Sequence, residues 1–115
     1  MRHALLIIFF VVAFGGVFAS RVMSGEPGKV GARSAAELYT KDCASCHGRD
    51  GRAKTFKAKL NHARNLTDPE WQGRVSDERI FNSIMNGKGK MPVFGKKLSE
   101  QEIDSLVAYV RGLKK

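Results

Sequence analysis

Residues 43–47 read Cys43-Ala44-Ser45-Cys46-His47, and the reading of this pentad governs the rest of the chain. Two thiols three positions apart, followed at once by an imidazole, form the C-x-x-C-H spacing that attaches a c-type haem. Each thiol can add to one vinyl group of the porphyrin. The histidine beside the second thiol then falls beneath the iron as its proximal ligand, so the porphyrin sets the spacing. Three other readings are weaker. A dithiol redox site would stand near a βαβ pattern, and no strand-like alternation surrounds the pentad. A structural zinc site needs four ligands, and the one further candidate nearby, His62, has no second histidine three to five residues on. Chance is disfavoured because the chain has two cysteines and both lie in the motif.

Working outward, the chain of 115 residues is one domain plus appendages. Met1-Arg2-His3 precedes an uncharged, mostly apolar run over 4–20 that ends at Arg21. That run is long for the apolar region of a signal peptide and short for a membrane span, so length alone does not decide between a signal peptide and an N-terminal membrane anchor. Gly15-Gly16 and Val17-Phe18-Ala19 favour cleavage after Ala19. Either way, the domain is expected outside the cytoplasmic membrane, in the periplasm or on the membrane's outer face. Residues 20–33, with Gly25, Pro27, Gly28 and Gly31, read as a flexible linker. The folded domain is then expected over 34–115, close to the size at which a hydrophobic core alone is marginal. A covalent haem would add an apolar nucleus, so its loss should cost folding.

No convincing strand is visible, and the domain is expected to be all-α, with three main helices wrapped around one haem. The first covers 34–41 and leads into Cys43. The second covers 76–86, with Ser76 as N-cap, Asp77 and Glu78 in its first turn, and Gly87 as its stop. The third covers 99–111, where Ser99 and Glu102 form a capping-box pattern and Ile103, Leu106, Val107 and Val110 make an apolar stripe. A short helical turn is expected at 68–71 with Pro69 in its first position.

An iron held by His47 alone would bind small ligands, whereas a second protein ligand would make an electron carrier. The candidates are Met23, His62, Met85 and Met91. Met23 lies in the expected linker, His62 reads as a solvated loop residue, and Met85 sits on the apolar face of the second helix, where a core methionine is ordinary. Met91 lies in the Gly-rich loop Gly87-Lys88-Gly89-Lys90-Met91-Pro92, where packing needs no methionine. The expected sixth ligand is therefore Met91. Donors for the haem propionates are expected from Arg64, Asn65 and Trp71.

The formal net charge of +9 is unevenly placed. Residues 48–67 hold six Lys or Arg against Asp50 alone, and 86–98 add Lys88, Lys90, Lys96 and Lys97 with no acid. These segments follow the two ligands, so a basic ring at the haem edge, completed by Lys54, Lys57 and Lys59, should steer the protein toward acidic redox partners. Nucleic-acid binding is disfavoured, because export removes the chain from that partner and aromatics are not interleaved with the basic residues.

The pentad after Leu38-Tyr39, the segment from Ile84 to Pro92, and Leu98-Ser99 opening a helix with Ala108-Tyr109-Val110 together resemble a class I bacterial cytochrome c over 34–113. The resemblance implies thioethers at Cys43 and Cys46, His47 as proximal ligand and Met91 as distal ligand. It also implies that the first and last helices cross, packing Leu38 and Tyr39 near Leu106 and Tyr109. Two features depart from the family. Ala35 stands where glycine is common at the crossing, and no proline between 48 and 68 offers a carbonyl to the proximal imidazole, so another carbonyl of that loop must do so. The function implied is one-electron exchange with no substrate turned over, by a monomeric carrier that is soluble or membrane-associated through its N-terminal segment. The alternatives are a haem subunit of a larger oxidoreductase, or a gas-binding sensor if Met91 is labile.

Overall fold

The structure, a computed structural model, describes residues 33–115. The expected leader or anchor over 1–19, all of the expected linker but Arg33, and Met23 lie outside the described residues. Helix α1 (Ala35–Leu38) opens on a capping box. The Ser34 hydroxyl accepts from the Glu37 N–H, and the Glu37 carboxylate accepts from the Ser34 N–H at 2.8 Å. It runs directly into a π-helical turn (Tyr39–Cys43), where the Ala44 N–H reaches back to the Tyr39 carbonyl, and on into α2 (Ala44–His47). The rod is longer than the helix expected over 34–41 because the pentad itself is helical. Residues 39, 42, 43, 46 and 47 follow the i, i+3, i+4, i+7, i+8 pattern of one helix face. Gly48 ends the rod at φ 82°, a conformation glycine adopts without strain.

Helix α3 (Phe56–Asn61), capped by Thr55, is absent from the sequence expectation. Its Phe56 and Leu60 face solvent and only Ala58 is buried, so no apolar stripe announces it. Helix α4 (Pro69–Arg74) begins as expected, with Asp68 as cap and Pro69 in the first position. Helices α5 (Asp77–Asn86) and α6 (Glu100–Gly112) carry the expected caps, Ser76 and the Ser99–Glu102 box. Among the described residues there is no strand, only an isolated antiparallel bridge between Lys88 and Met91.

The α1 segment and α5 each pack against α6. Leu38, Tyr39, Ile103 and Leu106 are the most deeply buried large side chains. The Tyr39 and Tyr109 rings lie 4.8 Å apart at 35°, so the expected contact forms with alanine at position 35. Arg33 fastens the start of the described chain to α6 through Glu102 at 3.0 Å.

Gln72 is buried and ties α4 to the end of α6. Its amide nitrogen donates to the Leu66 and Val110 carbonyls, each at 2.8 Å, and its amide oxygen accepts from Arg111 at 2.9 Å. Arg111 also donates to the Gln72 and Val75 carbonyls and to Asp77. Gln72→Ala strands the Leu66 carbonyl, takes one of two donors from the Val110 carbonyl and removes an acceptor from Arg111. It should cost about 2–4 kcal/mol, read as a fall in Tm. Glu70→Ala removes an exposed i,i+4 pair with Arg74 and should stay within about 0.5 kcal/mol of the parent.

Candidate haem site

The cleft face of the α1–α2 rod presents Tyr39, Asp42, Cys43, Cys46 and His47 to a hollow of about 790 Å³, within the range of cofactor sites. The same hollow is bordered by Trp71, Arg74 and Val75 of the α4 segment, by Arg79, Ile80 and Ile84 of α5, and by Lys88, Met91, Pro92 and Phe94 of the following loop. Leu106 and Val110 of α6 reach it from behind. Apolar groups dominate the deep part, and the cations sit on α4, α5 and the loops.

His47 is held by its backbone neighbours before any metal is considered. The Nδ1 atom lies 2.8 Å from the Arg64 carbonyl, which can only accept, so Nδ1 carries the proton and Nε2 keeps a free lone pair. Burial pushes the imidazole pKa down, with the Arg64 carbonyl opposing. A neutral imidazole with a fixed tautomer is what an iron ligand requires. Arg64 was expected to offer its guanidinium to a propionate. It borders the cleft, and its carbonyl supplies the contact for which the loop has no proline.

The two cysteines are not joined in a disulfide, and both are half-buried in the cleft wall. Burial first, then the charge of Asp42 beside it, pushes the Cys43 thiol up to about 12. A redox-active dithiol needs the opposite shift, so the rival redox reading loses ground. The Asn61 amide approaches the Cys46 sulfur at 3.7 Å, and the Thr55 hydroxyl donates to the Ser45 and Cys46 carbonyls at 3.1 and 3.2 Å. Thr55 thereby joins the end of the pentad helix to the start of α3. Among the described residues no three His, Cys, Asp or Glu side chains cluster as a metal-binding group.

The Met91 loop is tied down at three points. The Lys88 and Met91 backbones exchange hydrogen bonds, and the Phe94 and Gly95 N–H groups donate to the Ile84 and Met85 carbonyls at 3.1 and 3.0 Å. The Lys90 ammonium donates to the Leu60 carbonyl at 2.8 Å. Gly87 has φ 73°, and a Cβ there would meet the Met91 carbonyl at 2.7 Å, so the turn requires glycine. Met85 does not border the cleft. It packs with the core, its sulfur against Gly95. His62 caps α3 in the left-handed conformation at the cleft rim.

Asn65 also departs from expectation. It does not border the cleft, because its amide oxygen accepts from the Thr67 N–H and hydroxyl at 2.9 and 2.8 Å and shapes a turn. Trp71 does border it, half-buried. Arg74 and Arg79 stand there unforeseen, because they sit in a stretch whose average charge is slightly acidic.

A helical rod carrying two thiols and a tautomer-fixed imidazole, facing a porphyrin-sized apolar cleft, defines a small c-type cytochrome. Residues 31–110 match the family model described as "Cytochrome C oxidase, cbb3-type, subunit III". The chain is similar to cytochrome c6 of Rippkaea orientalis, at 34% identity covering 96% of this chain and 92% of the relative. It is similar also to the cbb3-type cytochrome c oxidase subunit FixP of Azorhizobium caulinodans, at 32% identity over 90% of this chain but 38% of that longer protein. Among solved structures, the KustC0563 c-type cytochrome superposes with a TM-score of 0.67 at 40% identity, covering 72% of this chain and all of the other. The chain belongs to the cytochrome c family, in its class I form. Its cofactor is covalent haem c, and it is an electron carrier.

Proposed function

We propose that this protein carries single electrons with His47 and Met91 as the axial ligands of its haem iron, exported to the periplasm or the outer face of the cytoplasmic membrane. The observation that carries the reading is that Cys43, Cys46, His47 and Met91 border one cleft while Met85 and Asn65 do not. When bound, the haem supplies Fe(III)/Fe(II) exchange, and the remaining tasks fall to the chain. The Arg64 carbonyl fixes the His47 tautomer. A thioether at Met91 favours the ferrous state, and the apolar wall of Ile80, Ile84, Phe94 and Leu106 excludes water and acts in the same direction. Arg64, Arg74, Arg79 and Trp71 are the donors available for propionates. No substrate is turned over, and the domain acts as a monomer, at a membrane if the N-terminal segment is retained. The family description and the likeness to FixP favour a second reading, a haem subunit passing electrons within an oxidase.

Redox partners dock at the cleft edge. Phe56, Leu60 and Val93 are exposed on the segments that contribute Asn61, Met91 and Pro92 to the cleft, and Lys54, Lys57, Lys59, Lys88 and Lys90 lie on the same segments. An apolar patch among cations fits an acidic-rimmed partner. Two of the lysines expected to be free are engaged, Lys90 with the Leu60 carbonyl and Lys97 with Asp42. The docking test therefore uses Lys54→Glu with Lys57→Glu. At low salt this pair should slow second-order electron transfer to an acidic partner by about tenfold or more, with an unchanged haem spectrum. Raising the ionic strength until the Debye length is about 8 Å should erase most of the difference. The control is Glu100→Lys with Asp104→Lys on α6, since Glu102 is committed to its cap and to Arg33. Equal effects from the two pairs would leave net charge as the sole determinant.

A further inference from the structure

The cleft face of the rod carries one carboxyl side chain, and the chemistry of haem attachment has no use for it. Asp42 precedes the first thiol, borders the cleft, and has a side chain only 6% exposed. Its Oδ1 is paired with the Lys97 ammonium, while its Oδ2 is buried with no hydrogen-bond partner. A buried carboxylate with one oxygen unsatisfied is costly, and a buried ion pair seldom stabilises more than an apolar pair of equal volume. Asp42 and Lys97 lie 55 residues apart in sequence and join the pentad helix to the loop beyond Met91. Lys97 is about half exposed (48%) and also stands 5.8 Å from the Phe94 ring centroid, so water screens the cation far more than the carboxylate.

We propose that Asp42 is a positioning charge that sets the haem reduction potential, with Lys97 as its partner-accessible counter-ion. The proposal rests on the cleft holding the haem. A negative charge in a low-dielectric wall beside the porphyrin stabilises the ferric form, which carries one more positive charge than the ferrous form. Asp42 therefore lowers the potential, opposing the upward push of the Met91 thioether and of apolar burial. The half-exposed Lys97 offsets part of this. An acidic partner surface that draws Lys97 outward leaves Asp42 uncompensated and favours the ferric form, easing electron release to an acceptor docked at that edge. The direction follows from the charges alone.

The test is potentiometric titration of the haem-loaded full chain, with the visible spectrum recorded for each variant. A retained His/Met spectrum shows that the haem reading stands, whatever the potential does. Asp42→Asn keeps the shape and removes the charge. It should shift the Fe(III)/Fe(II) equilibrium toward Fe(II) by about tenfold, 59 mV for a one-electron couple. Lys97→Met should shift it toward Fe(III) by a smaller factor, and Lys97→Arg should leave it within about threefold of the parent. If Asp42→Asn leaves the equilibrium within threefold of the parent, or moves it toward Fe(III), the proposal fails. Should Asp42→Asn not retain haem, Lys97→Met decides: a shift toward Fe(III) supports the proposal, and any other result overturns it. A clasp acting only as a structural latch would move both single variants in the same direction by exposing the haem.

Discussion

Met91→Ala is expected to move the Fe(III)/Fe(II) equilibrium toward Fe(III) by on the order of a hundredfold, about 120 mV at 59 mV per decade. The same change should abolish the sulfur-to-iron charge-transfer band of the oxidised protein and let carbon monoxide bind the reduced one. The cause is loss of the soft ligand that favours Fe(II), with water or nothing in its place. Met85→Leu should leave band and potential unaltered, since Met85 packs with the core against Gly95 and stands away from the cleft. The loop around Met91, tied to Ile84, Met85 and Leu60, survives loss of the side chain because backbone groups and Lys90 hold it. Optical titration and carbon monoxide binding read both variants. A lost band in Met85→Leu with a retained band in Met91→Ala would reverse the assignment.

The double variant Cys43→Ser with Cys46→Ser should retain no haem after acid-organic extraction, while either single change leaves one thioether and part of the retention. Stability should fall with attachment. The cofactor binds the folded chain and lends it stability by mass action, and the covalent links make that binding irreversible. The cleft it fills is bordered by the buried Leu106, Val110, Ile80 and Ile84, so the haem adds apolar contacts on their cleft side. A loss of about 2 kcal/mol in a domain of this size appears as roughly 10 °C in Tm, measured by circular dichroism at the helix band. Unchanged Tm and unchanged retention in the double variant would mean that the thiols do not carry the haem.

What the sequence made legible follows from what side chains announce. Ser76, Ser99 and Asp68-Pro69 mark helix starts through local hydrogen bonding and backbone restriction, and α5, α6 and α4 begin at them. The stripe Ile103, Leu106, Val107 and Val110 is buried as its spacing requires. Helix α3 was hidden because Phe56 and Leu60 face outward, inverting the usual stripe. The extent of the first rod was hidden because a π turn joins the expected helix to the pentad, and no residue type marks such a turn. The Arg64 carbonyl was invisible in principle, since every residue has one and only the fold chooses which meets His47. Asn65 and Lys97 each have a partner nearby in space, Thr67 and Asp42, that averaging charge or polarity over a segment cannot reveal.

The measurement that tests the account most directly is a redox titration of the purified full chain followed across the visible and near-infrared spectrum. The account predicts one haem that survives acid-organic extraction and a single one-electron Nernst transition. It also predicts a sulfur-to-iron band present in the oxidised form and absent from the reduced form. Haem that leaves on extraction, or an oxidised spectrum without that band, would contradict it.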